Sequence, residues 1–82
     1  MKIKVFVRLK AGVLDVQGKA IEQGLNGLGF KEVSNVRVGK LIEFEVEGND
    51  FNQAKERVDE MCRSLLANTV IESFQIEQAN ES

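Results

Sequence analysis

At 82 residues the chain has room for one domain with a modest core. Its 11 basic and 13 acidic residues are interspersed to a net charge of -2, which excludes the one-signed surface that nucleic acid or anionic lipid requires. With no histidine and a single cysteine, Cys62, it also lacks a histidine-based acid/base mechanism, a structural zinc cluster and an internal disulfide. No leader pattern and no apolar run of about 18 residues is present, so a soluble, cytoplasmic protein that binds neither nucleic acid nor membrane is expected.

The opening stretch KIKVFVRLK alternates strictly, with Ile3, Val5, Val7 and Leu9 on one face and Lys2, Lys4, Phe6, Arg8 and Lys10 on the other. This predicts a strand with one buried face. The next stretch, GVLDVQGKA, superficially suggests a phosphate-binding loop. It fails that chemistry: five residues separate Gly12 from Gly18, Ala20 stands where a hydroxyl is needed, and Asp15 would place a carboxylate against phosphate oxygens. Asp15 reads instead as the N-cap of a helix over 16–28, with Ile21, Leu25 and Leu28 as its apolar stripe and Gly29 as its C′ residue. Gly18 and Gly24 flank that stripe at a cost of about 0.5–1 kcal/mol each relative to alanine. Their compensation is close backbone packing, either against this chain's own sheet or against another chain.

Two strands are expected next, Glu32 to Val38 and Leu41 to Glu47. A two-residue Gly39-Lys40 turn would send Val36 and Val38 to the glutamate face. An odd loop or bulge through Gly39-Lys40-Leu41, pairing Val38 with Ile42 and Val36 with Phe44, brings both apolar sets to one core. Asp50, with Gln53 three residues on, begins the clearest helix, whose stripe is Phe51, Ala54, Val58, Met61, Cys62, Leu65 and Leu66, and Asn68 is its expected left-handed terminator. A last strand over 70–77 completes a single domain, 1–77, before a polar tail, 78–82.

The order β-α-β-β-α-β predicts an α+β, ferredoxin-like sandwich: a four-stranded antiparallel sheet in order 4-1-3-2 with two helices on one face. The open face would set Lys2, Lys4 and Arg8 across from Glu43, Glu45 and Glu47, with Phe6 among them as a candidate partner contact. Those glutamates oppose RNA stacking, the single cysteine opposes a metal carrier, and Asp15 opposes an anion-binding loop. No group of residues converges on a catalytic pocket, so catalysis by this chain alone is not expected. A binding or assembly module remains, and a regulatory domain holding a small ligand between subunits is the alternative.

Three stretches take the reading further. LKAGVLDVQGKAIEQGLNGLGF (9–30), VRVGKLIEFEVEG (36–48) and MCRSLLANTVIESF (61–74) resemble the PurS family, the small subunit of phosphoribosylformylglycinamidine (FGAM) synthase of purine biosynthesis. The family pattern has proline where this chain has Val16 and Thr69, positions at the start of one helix and just past the end of the other. The resemblance implies a homodimer that joins a synthetase subunit (PurL) to a glutaminase subunit (PurQ) and supports ammonia transfer. It implies no cofactor in this chain, with ATP and Mg²⁺ used by the synthetase. By position in the family motif, Lys10, Gly12, Asp15, Gln17, Gly18, Arg37, Gly39 and Lys40 are the candidate intersubunit contacts. Val13 and Leu14 join them because their loop is unusually apolar.

Overall fold

In the computed structural model, which describes residues 1–79, the alternating N-terminal stretch forms β1 (Lys2–Leu9). It runs down the middle of a three-stranded antiparallel sheet, flanked by β2 (Gly39–Glu45) and β3 (Glu72–Gln78) in the order β2-β1-β3. Ile3, Val5 and Val7 lie fully buried beneath α2 (Phe51–Met61), which is extended by a π-helical turn, Cys62–Leu66. Val58, Cys62 and Ala67 close the core from the helix side, and Ile42, Phe44, Phe74 and Ile76 pack around it from the outer strands. Asp50 caps α2 by accepting from the Asn52 and Gln53 amides at 3.0 and 3.5 Å. The π turn is closed by the Ala67 amide donating to the Cys62 carbonyl at 2.9 Å.

The second helix of the expected layer lies elsewhere. α1 (Val16–Gly27) ends in a Schellman motif: Gly29 is at φ 101°, its amide donates to the Asn26 carbonyl and the Phe30 amide to the Leu25 carbonyl. It lies along residues 33–38 and away from the sheet, so the two helices do not share one face. The molecule extends 49 × 33 × 14 Å, with a radius of gyration of 16.0 Å. A compact chain of this length would have about 12 Å. The body is the sheet with α2, and the arm is α1 with residues 33–38.

The expected fourth strand and its hairpin are corrected by the same arrangement. Residues 33–38 are extended but lie beside no strand among the described residues, and they run into β2 without turning at Gly39-Lys40. Val38 therefore faces neither Leu41 nor Ile42 within the chain. The cause is local: Asp15 and Glu22 side chains accept from the Val38 and Val36 amides, and Asn35 takes a left-handed conformation (φ 55°), which holds the segment against α1.

Smaller differences follow from register and helix ending. On the open face Lys2 and Lys4 oppose Glu45 and Glu43, but Arg8 meets Gly39 and Glu47 lies beyond β2. Among the described residues one ion pair forms there, Lys2 to Glu43 at 3.4 Å. Asn68 is not left-handed, because the π turn has already ended the helix. Its side chain accepts from the Val70 amide and its carbonyl from Ile71 and Glu72, a turn that launches β3. Gln78, expected in the tail, is the last residue of β3, and the Ala79 amide donates to Lys2; residues 80–82 lie outside the described residues.

Candidate assembly interface

The arm meets the body at one buried carboxylate. Asp15 accepts from the Gly18 amide at 2.7 Å, capping α1, and from the Val38 amide at 2.8 Å, fastening the helix start to the strand that leads into β2. The Arg37 guanidinium lies 3.8 Å from the same carboxylate. Those two amides, assisted by Arg37 and opposed by burial, hold the Asp15 carboxyl below the ordinary aspartate range. Arg37 also donates to the carbonyls of Leu9, Lys10 and Val13 at 3.2–3.4 Å, tying down the loop after β1.

Glycine is required at two positions of this joint. A Cβ on Gly18 would strike the Val36 carbonyl, and one on Gly39 would come within 2.6 Å of the Val7 carbonyl. The close approach expected of Gly18 is thus made within the chain, whereas a Cβ on Gly24 would meet open space. Gly12 adopts φ 89° in the loop.

Seven of the expected contact residues, Phe6, Leu14, Asp15, Gln17, Arg37, Gly39 and Lys40, line two clefts at the beginning of β2. Leu14, Asp15 and Gln17 line one side of an open cleft of about 400 Å³, with Gly39 and Lys40 on the other. Phe6, Arg37, Gly39 and Lys40 share a second cleft of about 340 Å³. Leu14 is 74 % exposed, so it does not plug the core of its own chain, while Val13 is half-buried. Lys10 and Gln17 are exposed, and Lys10 lines a separate cleft with Arg63, Glu72 and Phe74.

A further surface was not singled out by sequence reasoning. Ile42, Phe44, Met61, Leu65 and Leu66 line an open apolar groove of about 620 Å³ between β2 and α2. Leu65, at the same time, is 85 % exposed. Its signal was the width of the α2 stripe: Met61 and Leu65 broaden it beyond what one sheet face covers.

Nucleophilic chemistry finds little here. The Cys62 thiol is fully buried, and that burial, with Asp59 nearby, pushes its pKa up. Among the described residues no group of three or more His, Cys, Asp or Glu is placed to hold a metal ion, and no helix is long and apolar enough to cross a membrane.

A small body with an apolar groove between β2 and α2, a projecting arm and mixed polar and apolar clefts at their joint define an α+β module with no closed site among its described residues. The family described as PurS, phosphoribosylformylglycinamidine (FGAM) synthase, matches residues 2–80, and the chain belongs to it. It is 46 % identical to the phosphoribosylformylglycinamidine synthase subunit PurS of Bacillus subtilis, over 93 % of this chain and 89 % of that protein. To the same subunit of Methanocaldococcus jannaschii it is 44 % identical, over 92 % of this chain and 90 % of that one. Solved structures agree: B. subtilis PurS superposes with a TM-score of 0.84 at 46 % identity, covering 93 % of this chain and 94 % of that one. A chain of the Thermotoga maritima PurLQS structure superposes with 0.86 at 32 % identity, covering 95 % of each. Agreement over that share of the chain takes in the arm as well as the body.

Proposed function

We propose that this chain is the small assembly subunit of FGAM synthase in purine biosynthesis. As a homodimer in the cytoplasm it joins the synthetase PurL to the glutaminase PurQ and supports passage of ammonia between them. ATP and Mg²⁺ are used by the synthetase, where formylglycinamide ribonucleotide becomes the amidine. The loop from Lys10 to Gly18 and the segment from Arg37 to Lys40 supply the contacts, with Phe6 adding to them from the open face of the sheet.

The observation that carries this reading is the likeness, over 95 % of each chain, to a chain of the T. maritima PurLQS structure. The joint is consistent with it: Leu14, Asp15, Gln17, Gly39 and Lys40 line one cleft, and Leu14 stands out from a loop whose neighbouring carbonyls are held by Arg37.

The test is reconstitution of the three subunits. Leaving this chain out should abolish glutamine-dependent amidine formation while added ammonia still supports the synthetase. An unchanged glutamine-dependent rate without the chain would refute the assembly role.

A further inference from the structure

The outer edge of β3 is open. The Lys10 amide donates to the Ile71 carbonyl at 2.8 Å, and the Ala79 amide to the Lys2 carbonyl at 2.9 Å. In the antiparallel register between those bonds, odd-numbered residues of β3 turn their amides and carbonyls toward β1, and even-numbered residues turn theirs outward. No strand lies on that side among the described residues, and the Glu72 amide is already taken by the Asn68 carbonyl at 2.7 Å. Phe74 and Ile76, in the middle of the strand, keep their backbone groups facing out. The usual protections of an edge are missing: β3 runs 7 residues in unbroken register, with no proline, no bulge and no lysine.

Beside that edge α2 and β3 enclose an open cleft of about 540 Å³. Its helix wall is Lys55, Asp59 and Arg63, which recur every fourth residue and so share one face. On the strand side Phe74 is half-buried, and the Arg63 guanidinium carbon stands 5.4 Å from the centre of its ring. Lys10, the residue after β1, and Glu72 complete the charged lining.

Both acids of this cleft are engaged. Asp59 accepts from Arg63 at 2.8 Å, and Glu72 accepts from the Asn68 amide at 2.7 Å. Lys10 and Lys55 are exposed, and neither has an ion-pair partner among the described residues. The cleft therefore presents uncompensated cations, whereas the other flank of α2 is the apolar groove. A second copy laid along β3 would bring its own Lys10 and Lys55 to the same place, and like charges across a strand pair are destabilising. An acidic neighbour meets no such conflict.

We infer that the outer edge of β3 receives an extended segment of a larger subunit, added as a further strand and carrying carboxylates on the side chains it turns toward α2. Its backbone bonds to Phe74 and Ile76, and every second side chain enters the cleft, where carboxylates meet Lys10 and Lys55. Backbone pairing supplies affinity, and the lysines select the segment by charge. Lys10, which lines neither cleft beside β2, finds its partner at this edge. This deepens the assembly reading and rests on it for the existence of the larger subunits.

Residue-resolved hydrogen exchange, on this chain alone and within the active three-subunit synthase, tests the inference. The Gln75 and Glu77 amides, which face β1, should be slow in both. Those of Phe74 and Ile76 should exchange fast in the chain alone and at least about tenfold slower in the synthase. Lys55→Glu, an exposed change, should raise the dissociation constant of the complex about tenfold at low salt and less at high salt. Unchanged exchange at Phe74 and Ile76, in a synthase that still forms amidine from glutamine, would overturn strand addition and leave the assembly role standing. Slow exchange already present in the chain alone would give the edge to a second copy, which also overturns it. A natural dissociation constant in Lys55→Glu would overturn the acidic partner.

Discussion

Body and arm are made of the same kinds of amphipathic segment, yet only the body encloses a core. In the body, β1 is covered on both edges and by α2, so three of its side chains leave water completely. The arm is one 12-residue helix, too short to be stable alone in water, against a strand of about six residues. It carries three glycines and leaves Ile21 and Leu28 of its stripe exposed with only Leu25 half-buried, and its order comes largely from hydrogen bonds: the Asp15 cap, the Glu22 contact to Val36 and the Schellman ending. Hydrogen bonds of this kind fix direction more than they add stability, because each contributes only about 1 kcal/mol net.

The sharpest way to break that comparison is to weaken the body. Ile3→Ala should cost about 2–5 kcal/mol, read as an earlier denaturant midpoint with the whole chain unfolding together. Gly18→Gln should cost about 1–3 kcal/mol through its clash with the Val36 carbonyl, and the loss should be confined. Amides of α1 would lose hydrogen-exchange protection while those of β1 keep theirs; equal loss in both would mean that arm and body are one cooperative unit. Leu65→Asp, at a site 85 % exposed, should change stability by no more than about 0.5 kcal/mol, read as an unmoved denaturant midpoint.

The smallest effect is titration at the joint. The Asp15 pKa is lower in the folded chain than in the unfolded one, so its contribution is complete above the unfolded value, near about 4, and declines as pH falls through the folded value. Protection of the α1 amides should therefore fall below about pH 4 before that of β1. In Asp15→Asn this acid-dependent step should be missing, and its persistence would point to another carboxylate.

Much of this organisation is legible in the residues themselves. Strict alternation locates β1, Asp15 and Asp50 mark both helix starts, and Gly29 marks the end of α1 with the conformation expected of it. Near-neutral charge, the lack of histidine and the buried Cys62 direct attention to surface rather than chemistry. The hairpin is where local reading stops. Val36 and Val38 show that a segment needs an apolar neighbour, but an alternating pattern does not say whether that neighbour is in the same molecule. The second acceptor role of Asp15, toward Val38, and the three carbonyls held by Arg37 join positions 23 to 28 residues apart. No periodicity reports pairings at that separation. The π turn at Cys62–Leu66 is equally silent, since its residues fit an ordinary helix.

The claim that this chain works by offering its loop and arm to larger neighbours is tested most directly by Leu14→Asp in the reconstituted three-subunit synthase. Leu14 is 74 % exposed, so the variant should fold with β1 protection unchanged. The account predicts loss of glutamine-dependent amidine formation while ammonia-dependent formation persists. A full glutamine-dependent rate from that variant would contradict it.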